Sequence, residues 1–237
     1  MRLKFGSLGA SFWARGFLRK LRREVRAAVV AGAPLNVAAI ETAARRDAQA
    51  LFDAERPKLP DKQARSITAM CSLVLGAYRA LCQHGCQSEA AFEIVRRAFA
   101  QTYPAPVTWL VRVWLWWHRD PMAALERRSF TALGARMYGQ SMSFADEKSP
   151  DRVAFLVTRC AFHQYFQDHG APQLTPLICA WDRHWMDAID RSSRPLRTER
   201  PSTISTGGEC CRFNFVRDPD KSGTAKNDIV LVQLQTR

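Results

Sequence analysis

The stretch RVAFLVTRC, Arg152 to Cys160, decides the fold class. Val153, Phe155 and Val157 alternate with Leu156, Thr158 and Cys160, so the apolar residues divide between two faces at a period of two, the pattern of a strand. Working outward toward the C-terminus, AFHQYFQDH reads as a short helix ended by Gly170 and Pro172, and a longer helix runs from about Thr175 to Ile189. STIST, the Gly207–Gly208 pair and CCRFNF then read as a β-hairpin, in which Cys211, Phe213 and Phe215 share one face and Cys210, Arg212 and Asn214 the other.

Upstream of Arg152 the period changes to that of helices. Asp61 is placed to cap a helix in which Ile67, Met70, Cys71, Val74, Leu75, Tyr78, Leu81 and Cys82 recur at steps of three and four, and Gly85 stops it. Ser88 is expected to cap the next helix, with Phe92, Val95 and Phe99 on its apolar side. RDPMAALERRSFTALGARMYG is expected to form one helix, with Asp120 as cap, Pro121 in first position and Gly139 as terminator. The expected class is α+β: a mainly helical N-terminal two-thirds and a C-terminal third with a small antiparallel sheet and hairpin. The expected organisation is a basic helical extension over residues 1–58, a principal domain over 59–216 and a tail over 217–237. In that tail DIVLVQLQ reads either as an added edge strand or as unstructured chain.

Composition narrows the function classes. In 237 residues, 47% apolar and 24% charged content fits a folded protein and excludes wholesale disorder. Of the net charge of +13, +8 falls within Met1–Arg46. There SFWARGFLRKLRREVRAAVV places Phe12, Trp13, Phe17, Leu18, Leu21 and Val25 at helical spacing among arginines. That pattern fits a helix docked on its own domain with a solvated arginine face, or one in weak contact with an anionic membrane surface. No helix-turn-helix, zinc-finger or aromatic-basic sheet signature is present, so no nucleic-acid partner is expected. Seven cysteines, an odd number without regular spacing, and no credible signal peptide point to free thiols in a reducing, cytoplasmic setting. The most apolar window, VTWLVRVWLWW, is about eleven residues long and contains Arg112, well short of the roughly 20 a membrane span needs. Its tryptophans, Trp109, Trp114, Trp116 and Trp117, are expected to pack in the core and in a subunit contact, leaving an oligomer open.

The segment VTRCAFHQYFQDHGAPQLTPLICAWD, followed by RPSTISTGGECCRFNF, resembles the C-terminal signature of the L-2-amino-thiazoline-4-carboxylic acid hydrolase family. The matching positions are Arg159 and Cys160, Gly170 with Leu174, Cys179 and Asp182, Arg200 with Thr203, and Gly207 with Cys211, Phe213 and Phe215. YRALCQHGCQSEAAFEIVRRAF in the helical middle matches more loosely, so the resemblance spans roughly residues 60 to 216. Two positions depart from it: the family carries acids after the hairpin glycine and after its cysteine, where this chain has Gly208 and Arg212. The resemblance implies a hydrolase acting on the non-peptide C–N bonds of a cyclic amidine, opening a thiazoline carboxylate to an N-carbamoyl amino acid in bacterial cysteine metabolism. The lost acids leave open a second reading, a non-catalytic sensor module that binds a small molecule or a metal on the same scaffold.

Such a ring opening needs a nucleophile at the electrophilic ring carbon, a proton donor for the departing nitrogen or sulfur, and a cation for the carboxylate. Cys160 ends a strand, opens a helix and follows Arg159, a setting that favours its thiolate; a small buried hydrophobe is the other reading of the same residue. Cys179 and Asp182, three apart on an expected helix and flanked by Trp181 and Trp185, share a face on which a carboxylate can polarise a thiol or a water; a backbone or arginine partner in the core is the other reading of Asp182. Arg159 and Arg200 are candidates for the substrate carboxylate, a solvated surface arginine being the default reading of Arg200. Thr203 and Cys211 complete the substrate-binding set implied by the resemblance. His163 lies outside the signature. No cofactor is expected; the alternative is zinc held by Cys160, Cys179 and Cys211, although none of them forms a close Cys-x-x-Cys pair. Cys82, His84 and Cys86 make a weaker local cluster.

Overall fold

A computed structural model describes residues 3–5 and 8–222. The DIVLVQLQ segment therefore lies outside the described residues. The chain divides into two compact units, each assembled from separated stretches. One comprises the residues up to Pro104 with Gly134–Ser143 and Arg159–Trp181, and the other comprises Ala105–Leu133, Phe144–Thr158 and the residues from Asp182 onward.

The first unit is helical. It contains α1 (Leu8–Val30), α2 (Val37–Glu55), α3 (Lys62–Gln83) and α4 (Ser88–Ala100), and later in the chain α8 (Ala161–Asp168) and α9 (Thr175–Trp181). Its central element is α3, which starts where Asp61 Oδ1 accepts the Ala64 N–H at 2.7 Å and is followed by Gly85 at φ +87°. Ala69, Cys71, Leu73, Val74, Leu75, Ala77, Ala80 and Leu81 are all buried, so α3 is covered on every side by its neighbours. The approach of α2 depends on small residues. At Gly76 a Cβ atom would lie 2.9 Å from both the Ala44 carbonyl oxygen and the Ala48 nitrogen, so only glycine permits this crossing. The docked reading of α1 holds: Phe17, Leu18, Leu21 and Val25 are buried in contact with α3 and α4, while Arg15, Arg19, Arg22, Arg23 and Arg26 face solvent. Ser88 is the first residue of α4; the capping position is Gln87, whose backbone is extended and whose side chain makes no capping bond.

The second unit contains α5 (Pro104–Trp117), α6 (Pro121–Glu126), the first turn of α7 (Phe130–Tyr138), α10 (Arg183–Asp190) and a four-stranded sheet. The strands are β1 (Ser143–Ser149), β2 (Arg152–Arg159), β3 (Leu196–Ser202) and β4 (Cys211–Arg217), in the order β1-β2-β4-β3. β4 pairs antiparallel with both neighbours: Phe213 faces Phe155 across β2, and Phe215 faces Val153 and, on the β3 side, Thr198. The expected hairpin is present, but its first strand is Leu196–Ser202; STIST lies mainly in the 3-10 turn that follows, and Gly207 takes a left-handed φ of +90° to close it. β1, SFADEKS, has no apolar alternation in sequence and forms as the edge strand beside β2. The sheet face bearing Val153, Phe155 and Phe215 packs with Val111, Trp114, Leu115, Met122, Leu125, Phe130, Ile189 and Leu196.

One expectation is corrected here, and a second is met in part. The helix anticipated over residues 121–138 is broken between Glu126 and Phe130. Lys148 Nζ donates to the carbonyl oxygens of Glu126 (2.6 Å) and Arg128 (2.8 Å), taking acceptors that a continuous helix would use internally, and Asp146 accepts the Thr131 N–H. Of the four tryptophans of the apolar run, only Trp114 joins the core; Trp109, Trp116 and Trp117 are exposed. A helix apolar on all sides has more apolar surface than one packing face can cover.

Candidate functional site

β2 and α8 meet at the Arg159–Cys160 junction. Cys160 occupies the N-cap position of α8 in extended conformation, placing its thiol at the positive end of an eight-residue helix. Arg159 is exposed, and its guanidinium donates to Ser143 Oγ at 3.3 Å and to the Gln140 carbonyl. Behind Cys160 lies α3: burial pushes the Cys71 thiol well up, and neighbouring Cys160 adds to the shift. Cys71 therefore stays a neutral thiol beside Cys160. His163, one turn along α8, shares a 3.3 Å hydrogen bond with Thr175 Oγ1, which ties α8 to the start of α9. Cys179 lies on α9, half-buried. Arg159, Cys160 and Cys179 are thus all in the first unit.

The second unit holds Asp182, Arg200, Thr203 and Cys211. The single helix expected over 175–189 is two helices, with Asp182 as the N-cap of α10, so Cys179 and Asp182 belong to different helices. The Asp182 carboxylate accepts the Trp185 indole N–H at 3.1 Å and pairs with Arg200 Nη1 at 3.5 Å. Burial pushes its pKa up to about 6, against the opposing pull of the Trp185 hydrogen bond and the Arg200 charge. Its side chain is 31% exposed and that of Arg200 19%, so solvent still reaches the carboxylate while the guanidinium is largely enclosed. Arg200 lies 5.9 Å over the Phe213 ring, whose face attracts a cation, and Trp185 packs against the same ring at 5.6 Å. Arg200 is therefore not a solvated surface arginine: it is held between a carboxylate and an aromatic face.

Thr203 sits in the turn between β3 and β4, and Cys211 is the first residue of β4. The Thr203 hydroxyl bonds to those of Ser205 (3.0 Å) and Thr206 (2.9 Å), and its carbonyl accepts the Gly208 N–H at 3.0 Å. The buried Cys211 sulfur accepts the Ile204 N–H at 3.3 Å. These bonds set the shape of the turn. Gly208, one of the two positions that depart from the resemblance, lies in this turn, where a Cβ would be 3.0 Å from the Thr203 carbonyl oxygen and 3.2 Å from Ser202 Cβ. A side chain at position 208 requires these neighbours to give by a few tenths of an ångström. At the second departure, Arg212 points to the opposite face of β4 from Cys211 and forms a two-pronged pair with Glu147 at 2.7 and 2.8 Å.

Cys71 read as an ordinary helix-core position, and Phe213 entered only as a hairpin residue of the resemblance; Trp185 was expected beside Asp182, but its hydrogen bond to the carboxylate had no signal of its own. Among the described residues no group of three or more His, Cys, Asp or Glu is assembled to hold a metal ion. Of the local Cys82, His84 and Cys86 cluster, His84 is exposed and the two cysteines are half-buried, with burial and Cys82 raising the Cys86 pKa.

A search of curated proteins finds no match to the chain. A family model described as L-2-amino-thiazoline-4-carboxylic acid hydrolase matches residues 65–215, well over half the chain and a span that includes every candidate residue above. On that match, the protein belongs to the L-2-amino-thiazoline-4-carboxylic acid hydrolase family.

Proposed function

We propose that this protein is a hydrolase that opens the ring of a 2-amino-thiazoline-4-carboxylate-like cyclic amidine to an N-carbamoyl amino acid. The observation that carries the reading is Asp182: a carboxyl with its pKa pushed up to about 6, beside an enclosed arginine, within the matched family span. A group poised near neutral pH takes and returns a proton with little penalty in either direction.

The stoichiometry of the product defines the step. An N-carbamoyl product keeps the ring nitrogen on the former amidine carbon, so the bond that breaks is carbon to sulfur, and the C–N cleavage expected from the family class is replaced on chemical grounds. Asp182 takes a proton from water as the water oxygen bonds to the ring carbon. The former C=N electron pair passes to the ring nitrogen, which receives the second water proton, and Asp182 returns its proton to sulfur as the carbon–sulfur bond breaks and the added oxygen becomes a carbonyl, leaving a thiol and a carbamoyl group. Arg200, enclosed beside Asp182 and over the Phe213 ring, is the cation for the substrate carboxylate, which a guanidinium holds through two parallel hydrogen bonds. Thr203 and Cys211 hold the adjoining turn. Cys160 is the other candidate for the attack, with Arg159 beside it and Cys179 on the packed neighbouring helix. All seven cysteines are free thiols, which supports a reducing, cytoplasmic setting.

Incubation of the purified protein with 2-amino-thiazoline-4-carboxylate should release one thiol per ring opened, with N-carbamoyl-cysteine identified by mass spectrometry. Asp182→Asn should lower kcat by at least about a hundredfold. Comparable loss in Cys160→Ala, with a trapped covalent adduct in the wild type, would assign the attack to the thiol instead. Inactivity of the wild type on a panel of cyclic amidine carboxylates would sink the proposal. Tight binding of those compounds without turnover would establish the competing reading, a ligand-binding module, which the absence of acids at positions 208 and 212 favours.

A further inference from the structure

α5 presents two apolar faces. Val111, Trp114 and Leu115 pack into the core of the second unit. On the other side Trp109, Leu110, Val113, Trp116 and Trp117 are 38–72% exposed. At about 100° per residue these five fall within an arc of about 120° on a helix about 21 Å long. The only charge on α5 is Arg112, at the border of that arc. An exposed stripe of five large apolar side chains, three of them indoles, is a surface of the kind that marks an interaction site.

The end of the helix adds a second observation. Trp117 forms one wall of a cavity of about 430 Å³ that is also lined by His118, Arg119, Arg127 and Arg128. The three arginines are exposed. The one acid on the lining, Asp120, is already engaged, capping α6 through Ala123 and pairing with Arg217 at 3.4 Å. Lys148 fixes the carbonyls of Glu126 and Arg128 and so holds the arginine-bearing loop in shape.

We propose that the exposed face of α5 and this arginine-lined cavity together form a contact site for an anionic phospholipid surface. Trp109, Trp116 and Trp117 seat at the level of the headgroups, where an apolar ring with an N–H tip is best accommodated. Arg112, Arg119, Arg127 and Arg128 meet the phosphates. Charge complementarity selects this occupant over a second copy of the chain, because pairing two such faces brings Arg112, Arg119, Arg127 and Arg128 of one copy against the same arginines of the other. The contact is monotopic, since no helix among the described residues is long and apolar enough to cross a membrane.

The test is flotation of the full-length protein with vesicles of phosphatidylcholine alone and of phosphatidylcholine mixed with phosphatidylglycerol. The wild type should float with the mixed vesicles and be released by salt. Replacing the three exposed tryptophans by serine should weaken partition by more than about tenfold. Changing Arg119, Arg127 and Arg128 to Gln should weaken it by about a hundredfold, at about fivefold per arginine. Circular dichroism reports whether each variant folds, and quenching of wild-type tryptophan fluorescence by brominated lipid reads the contact without any substitution. Absence of wild-type binding to the mixed vesicles overturns the proposal. So does binding that survives both α5-region variants but is lost when Arg15, Arg19, Arg23 and Arg26 become Gln, which would move the contact to α1. A dimer seen by light scattering, lost in the tryptophan variant and accompanied by no vesicle binding, would assign the face to a second copy.

Discussion

Replacing Asp182 by Asn tests both the electrostatics and the chemistry assigned to this carboxyl. Its pKa is pushed up from an ordinary value of 3.8 to about 6 because burial disfavours the charged form more than Trp185 and Arg200 favour it. Each pKa unit corresponds to about 1.4 kcal/mol, so the shift amounts to about 3 kcal/mol at full value, and nearer 2 kcal/mol because 31% of the side chain meets solvent. Between about pH 4 and pH 6 the folded protein holds a proton that the unfolded chain has released. Wild-type stability therefore declines relative to Asp182→Asn across that window by about 2 kcal/mol, and the difference is constant above it. Asn retains a carbonyl to accept the Trp185 indole N–H, so the comparison isolates the charge. Urea unfolding of both proteins at a series of pH values measures the difference, in which titrations common to both cancel. In the ring-opening assay the wild-type rate should rise through pH 6 as the base form accumulates, a limb that the variant lacks. A stability difference flat from pH 4 to pH 7 would show that Asp182 titrates as an ordinary carboxylate, and the acid–base role would fall with it.

Gly76→Ala should lower stability by about 1–3 kcal/mol in thermal or urea unfolding, because its Cβ would press on the α2 backbone at 2.9 Å. The sign is diagnostic, since the same change in an uncrowded helix stabilises by about 1 kcal/mol. Asp61→Ala removes the acceptor of the Ala64 and Gln140 N–H groups and should cost about 1–2 kcal/mol. Although burial raises the Asp61 pKa, those backbone bonds bring it below the ordinary value. The stabilisation is thus present above about pH 4 and lost as pH falls through the folded pKa, so unfolding curves of the two proteins should converge in acid. Arg212→Ala should leave the urea-unfolding midpoint nearly unchanged, because its pair with Glu147 is open to solvent. Dialysis against a strong zinc chelator should leave activity intact; loss of activity restored by zinc would replace the proposed step with a metal-centred one.

Local signals were readable in the chain wherever backbone chemistry is local. Asp61 capping α3, Gly85 after its end, Pro121 opening α6 and the strand at Arg152 all follow from steric and hydrogen-bonding preferences spanning a few residues. The same reasoning overextended helices where a distant partner competes for backbone groups. Lys148, on β1, captures two carbonyls after α6 and so breaks a helix that looks continuous at residues 126–130. β1 itself carries no alternation because an edge strand is stabilised by its neighbour's ladder more than by its own apolar face.

At the candidate residues the division is similar. Spacing and family pattern named Cys160, Cys179, Asp182, Arg200 and Cys211, and placed Cys211 and Phe213 on one strand face, which the register bears out. They did not reveal that Arg200 is enclosed between Asp182 and Phe213, that Trp185 bonds the carboxylate, or that Cys71 lies behind Cys160. Residue type and periodicity determine which side chains turn inward, because those are properties of one element. Which charge meets which ring, and how far a carboxyl is stripped of water, depends on residues far apart in sequence that only the packed chain brings together.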